Sequence, residues 1–131
     1  MKPGLHTSIL GLAAFFLCHP ALAGAYEDAA AAYTRRNYTE AIQLWQALAA
    51  QGNSKAQYNL GALYENGHGV PRDNAEAGKW YRLSAGQGLA DAQFKVGFRY
   101  EIGQGVPKDQ SVAVKWYRKA AEQGHELAQV N

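Results

Sequence analysis

Apolar and polar residues alternate along residues 54–88 with the period of a helix face. In SKAQYNLGALYEN, Ala56, Leu60, Leu63 and Tyr64 recur at intervals of three and four, and Ala77, Trp80, Tyr81 and Ser84 do the same further on. Between the two stretches lies GHGVPRD. Gly67 and Gly69 tolerate positive φ, and Pro71 stops the first helix from continuing. Asp73 is placed to cap the next helix, and Glu76, three residues on, completes the pattern of a capping box. Gly88 falls where a helix C-terminus favours a left-handed residue. The pattern therefore predicts two helices joined by a glycine-proline loop.

The same pattern returns at a constant interval. Ala41, Ala77 and Ala113 are equally spaced, as are Gln51, Gln87 and Gln123, then Gly52, Gly88 and Gly124, then Ala56, Ala92 and Ala128. In that register Leu44-Trp45 aligns with Trp80-Tyr81 and Trp116-Tyr117, which defines a large apolar or aromatic slot. Gly61 and Gly97 allow the helices of one pair to approach closely, and Tyr64 and Tyr100 are expected to fill the space between pairs. A lone helix hairpin cannot bury its apolar face, so stacked pairs must share one core. The first unit keeps Tyr33 and Ala41 with a shorter loop between them. Helix pairs are expected near 25–52, 54–88 and 90–124, with HELAQVN starting a seventh helix that ends almost at once.

The strings AQYNLGALYENGHGVPRDNAEAGKWYRLSAGQG (56–88) and AQFKVGFRYEIGQGVPKDQSVAVKWYRKAAEQG (92–124) resemble Sel1-like repeats, a branch of the tetratricopeptide-type α-solenoids. NYTEAIQLW (37–45) is similar to the shorter-loop tetratricopeptide form. The resemblance covers essentially all of residues 24–131. It implies an all-α, right-handed solenoid of about three antiparallel helix pairs, whose first helices line a concave face that binds proteins or peptides. Carried over by motif, concave positions are Tyr58, Asn59, Ala62 and Glu65 in the second unit and Phe94, Lys95, Phe98 and Glu101 in the third; the first offers Glu27, Ala31 and Arg35.

The N-terminal segment changes the setting of this module. Lys2, the apolar run ILGLAAFFLC (9–18) and the small residues of HPALA (19–23) have the layout of a secretory signal peptide cleaved after Ala23. The apolar run is much shorter than the roughly 20 residues a membrane span requires. The residues before Cys18 are FFL, unlike the small residues that precede a lipidated cysteine, so Cys18 is read as part of the removed peptide. The mature chain then has no cysteine for disulfides or thiolate ligands. A periplasmic or secreted location follows as an expectation, with no membrane span in the mature chain.

Charge adds little. The chain has 13 Lys and Arg against 11 Asp and Glu, both signs spread along it, and no basic block of the kind that binds nucleic acid. His68 and His125 lie outside metal-ligand spacing, and Ser54, Ser84 and Ser111 lack a nucleophile-elbow context. These features argue against an enzyme and imply no cofactor or metal. A cysteine-rich exported branch of the family is associated with β-lactam binding and hydrolysis, and that association does not extend to a mature chain without cysteine.

The expected function is an exported protein or peptide binder. Tyr58, Phe94 and Phe98 are candidate groove anchors, with packing between helices as the competing role. Glu65, Glu101 and Arg35 form a candidate polar rim, with a simply solvated face as the competing reading, and Asn59 is either a peptide-backbone ligand or a structural residue. Self-association through apolar surface near Ala120 and Leu127, which would make a homo-oligomer, is the alternative, and an envelope enzyme is the more distant one.

Overall fold

A computed structural model describes residues 23–130; the expected signal peptide lies outside the described residues. Seven helices follow one another among the described residues: α1 Ala25–Thr34, α2 Tyr38–Ala50, α3 Ser54–Asn66, α4 Asn74–Gly86, α5 Ala90–Ile102, α6 Gln110–Glu122 and α7 Glu126–Val130. Each helix packs on the next in the chain, so pairs α1/α2, α3/α4 and α5/α6 stack into a right-handed α-solenoid. No strand occurs among the described residues.

Local chemistry sets the helix ends. Asn37, Asn53, Asp73 and Asp109 each accept a hydrogen bond from the backbone N–H three residues ahead. The expected capping box at Asp73 is only half formed, because the Asp73 N–H donates to the Tyr64 carbonyl instead and Glu76 turns to Lys79, 3.6 Å away. That bond ties the loop back to α3. Gly67 and Gly103 end α3 and α5 in the left-handed region at φ 69° and 73°. Arg36, at the matching point of the shorter first loop, adopts φ 64° without being glycine.

The second glycine of each G-x-G loop has a different task. A Cβ on Gly69 would lie 2.4 Å from Tyr38 Cβ, and one on Gly105 would meet the Asn74 carbonyl at 3.2 Å. Tyr38 and Asn74 begin the second helices of the preceding pairs, so these glycines let each long loop lie against its neighbour.

Alanines form the spine of the core. Ala41, Ala77 and Ala113, with Ala56, Ala92 and Ala128, are all buried, and larger residues fill around them. Tyr100 packs against both the cluster around Ala77 and Tyr81 and the cluster around Ala113 and Tyr117, so the core is continuous between pairs. Within each long-loop pair the closest approach is a tyrosine ring on a glycine. A Cβ on Gly61 would sit 2.7 Å from the Tyr81 ring, and one on Gly97 would sit 2.9 Å from the Tyr117 ring.

A further polar ladder holds the helix ends together. Gln57, Gln93 and Gln129 donate to the carbonyls of Ala49, Ala85 and Ala121, each in the preceding helix. Gln87 and Gln123 then donate to Gln57 and Gln93. The buried amides of Gln57 and Gln93 thus donate to a backbone carbonyl and accept from an exposed glutamine, which makes their burial tolerable.

Because the ring cannot retreat from a new methyl, Gly61→Ala should cost about 1–3 kcal/mol by overpacking. Gly86, at the end of α4, has nothing within 4 Å of a built Cβ, so Gly86→Ala should be neutral or stabilising by up to about 1 kcal/mol. Urea denaturation of the two variants checks this, and equal effects would contradict the glycine–tyrosine register.

Candidate concave interface

The first helices of the pairs lie side by side and are bridged by side chains. Asn59 on α3 donates to the Tyr26 hydroxyl on α1 at 3.2 Å, and Lys95 on α5 reaches Glu65 on α3 at 3.0 Å. α1, α3 and α5 thus form one continuous inner face.

A hollow of about 270 Å³ opens on that face between α1 and α3, lined by Ala30, Tyr33, Thr34, Trp45, Asn59 and Ala62. It exists because the first pair is built differently. Trp45 replaces the tyrosine of Tyr81 and Tyr117, Ala30 replaces Gly61 and Gly97, and Thr34 stands where Glu65 and Glu101 carry carboxylates. Thr34 spends its hydroxyl on its own helix, at the Ala30 carbonyl. Next to the hollow, an aromatic cluster fixes the loop: the Tyr33 hydroxyl meets His68 Nδ1 at 2.9 Å, and the His68 ring stacks on Tyr38 with centroids 5.2 Å apart.

The expected anchors separate into two kinds. Tyr58 and Phe94 are half-buried and occupy matching places, with ring centroids 5.4 Å from Tyr81 and from Tyr117 respectively. Phe94 also stacks on His125 at 4.7 Å. Phe98 stays 40 % exposed. It stands at the position that Ala31 and Ala62 hold in the earlier pairs, so a row of Ala31, Ala62 and Phe98 runs along the inner face. Asn59 and Ala62 both line the hollow.

The expected rim is not a solvated face at Glu65. Its carboxylate accepts from the Tyr81 hydroxyl at 2.7 Å and from Lys95, and Arg99 Nη1 lies 3.5 Å away. Burial pushes the Glu65 carboxyl up, but the Tyr81 hydroxyl with the Lys95 and Arg99 charges outweighs it, and the group is held below the ordinary carboxylate range. Tyr81 is driven far above the usual phenol range, first by burial and then by its bond to Glu65. Glu101 accepts from the Tyr117 hydroxyl in the same way, without a cation partner among the described residues. Arg35 is apart from them, exposed beyond the end of α1 and 3.6 Å from Glu40.

Arg99 is the residue that sequence reasoning missed. It is 2 % exposed, donates to the Asn74 carbonyl and lies over the Tyr81 ring, its charge facing Glu65. Gly78 lies beneath it, where a built Cβ would be in ordinary contact with the guanidinium at 3.5 Å.

Consecutive Sel1 repeat matches cover residues 12–53, 54–89 and 90–125. The chain belongs to the Sel1 repeat family. The first match begins inside the segment read as a signal peptide, outside the described residues. A Sel1 repeat protein from Oxalobacter formigenes is similar in structure, with TM-score 0.76 and 41 % identity over 80 % of this chain and 43 % of that one. A protective antigen of uropathogenic Escherichia coli gives TM-score 0.67 at 43 % identity, over 70 % of this chain and 20 % of that one. Cysteine-rich protein B of Helicobacter pylori gives TM-score 0.67 at 29 % identity, over 69 % and 68 %. Among curated proteins, DAP3-binding cell death enhancer 1 of Rattus norvegicus is 49 % identical over 41 residues, 31 % of this chain and 8 % of that protein. The chain thus spans less than a tenth of that relative. Sel1 repeats are protein-interaction modules.

Among the described residues, no helix is long and apolar enough to cross a membrane, and no group of three His, Cys, Asp or Glu could hold a metal ion.

Glu65 gives the inner face a pH signature. A carboxyl held below its unfolded value stabilises fully above the ordinary range, near pH 4.3, and that stability drains as pH falls through the lower folded value. Between pH 6 and pH 3 the wild type should therefore lose more of its urea midpoint than Glu65→Gln does. Parallel losses in the two proteins would contradict the network.

Proposed function

We propose that this chain is an exported, non-catalytic adaptor that binds an extended or helical segment of a partner protein along the inner face of α1, α3 and α5. The observation that carries the reading is the hollow between α1 and α3, with the exposed ring of Phe98 on α5 at the position that Ala62 holds on α3. Small residues at Ala31 and Ala62 leave room for a partner's side chains, and an exposed aromatic on the same face is a common binding anchor. Asn59, half-buried at the wall of the hollow, donates to Tyr26 and keeps its carbonyl oxygen for a peptide N–H, and Lys95, Glu65 and Glu101 border the same face. Tyr58 and Phe94 contribute through ring edges left over from packing. Arg35, at the end of α1, extends the polar edge of this face.

The export half of the proposal is supported by the N-terminal segment, whose charged start, short apolar run and small-residue end match a secretory leader. The periplasm or the cell exterior is the corresponding location.

A photo-crosslinking amino acid at Ala62 or Phe98, compared with one at Lys79 or Lys115 on the outer helices, tests both halves in whole bacteria that are then fractionated. The expected outcome is a discrete adduct from the inner positions only, recovered in the periplasmic or secreted fraction. Adducts from the outer positions alone would refute the groove, and an uncleaved cytoplasmic chain would refute export.

A further inference from the structure

The two junctions between successive pairs are built from matching positions with different chemistry. Where the second pair meets the third, Tyr81 and Lys95 both donate to the Glu65 carboxylate, at 2.7 and 3.0 Å, and Arg99 adds a second cation. Where the first pair meets the second, the places of Tyr81, Glu65, Lys95 and Arg99 are held by Trp45, Thr34, Asn59 and Leu63. Trp45, Thr34 and Asn59 are walls of the hollow of about 270 Å³. One junction therefore has a carboxylate of its own, and the other has a space on the inner face instead.

The hydrogen-bonding groups around that space are incomplete. Thr34 Oγ1 gives its proton to the Ala30 carbonyl at 2.9 Å, so towards anything else it can only accept. Asn59 places one N–H on the Tyr26 hydroxyl and has a second. The Trp45 side chain is buried, and its indole N–H meets no acceptor. The Tyr33 hydroxyl is engaged by His68, which leaves its ring as a wall. No lining residue carries a charge.

These walls discriminate among occupants. A carboxylate here would stand in for Glu65 with neither Lys95 nor Arg99 to balance it, and burying an unpaired charge is costly. An aliphatic group would cover the Asn59 N–H and the Thr34 oxygen and leave both unsatisfied. A carboxamide avoids both penalties, being neutral and carrying an acceptor and donors together. The hollow is also smaller than the roughly 300–1,000 Å³ of sites that enclose a small molecule, which suits a single side chain.

We propose that the hollow is a pocket for one carboxamide side chain of the partner segment, with glutamine, the neutral counterpart of Glu65, as its occupant. The glutamine carbonyl accepts from the Asn59 and Trp45 N–H groups, and its amide donates to Thr34 Oγ1. The inference rests on the inner-face groove proposed above and narrows its partner to a segment with glutamine where it passes the hollow.

A phage-displayed library of random peptides, selected on the full chain, tests it. Peptides that form an adduct with a photo-crosslinking amino acid at Ala31 are kept as inner-face binders. Glutamine should recur at one position in them. Changing it to glutamate or leucine should weaken binding at least about tenfold in fluorescence anisotropy. Thr34→Val, which keeps the shape and removes the acceptor, should narrow that preference. Asn59→Lys, which installs the residue of the next junction, should turn it towards glutamate. Should Asn59→Lys lose its helical circular dichroism, Thr34→Val, at an exposed position, still decides. Inner-face peptides that accept glutamine, glutamate and leucine alike, or a preference untouched by Thr34→Val, would overturn the pocket and leave the groove standing. Selected peptides that never crosslink at Ala31 would overturn both.

Discussion

A tyrosine ring pressed onto a glycine sets the spacing of this solenoid. Tyr81 can lie on Gly61, and Tyr117 on Gly97, only because the glycines carry no Cβ. The close approach brings each phenol hydroxyl to a carboxylate one turn further along the first helix, at Glu65 and Glu101. Glu65 then draws Lys95 and Arg99 from the next pair. One contact within a pair therefore determines how the next pair docks. Leaving any member of such a buried polar group without its partner costs more than the group gains when complete, which explains why all four residues are arranged together.

The first pair shows what happens when the contact changes. With Trp45 in place of tyrosine there is no hydroxyl, Thr34 replaces the glutamate, and Asn59 stands where Lys95 would be. The tyrosine–carboxylate–cation bridge is gone, Asn59 donates to Tyr26 instead, and the inner face opens into the hollow beside Ala62. At the other end, Glu101 keeps the tyrosine bond but meets no cation among the described residues. Variation at a few matching positions thus gives the two ends of a repetitive stack different surfaces.

Much of the fold was legible because it rests on local chemistry that repeats. The alanine spacing, the G-x-G-V-P-x-D loops and the capping aspartates each state a helix end or a helix face on their own. The inner face was legible only in part. Tyr58 and Phe94 look like Phe98 in the sequence, and only the ring contacts to Tyr81 and Tyr117 tell the packed residues from the exposed one. Arg99 reads as a surface residue on an amphipathic helix, since its partners, the Glu65 carboxylate and the Asn74 carbonyl, lie on other helices. The glutamine ladder was visible as a repeat at Gln51, Gln87 and Gln123, while its purpose, satisfying Gln57 and Gln93, required the stacking geometry.

The dependence of the stack on the tyrosine–glutamate bond is open to direct measurement by a double-mutant cycle of Tyr81→Phe and Glu65→Ala, read as unfolding free energy in urea at pH 7. The two side chains acting as one unit predict a favourable coupling of about 1 kcal/mol or more, with the second substitution costing little once the first is made. Strictly additive losses would mean that the hydroxyl and the carboxylate stabilise the fold independently, and the account of how one pair positions the next would be wrong.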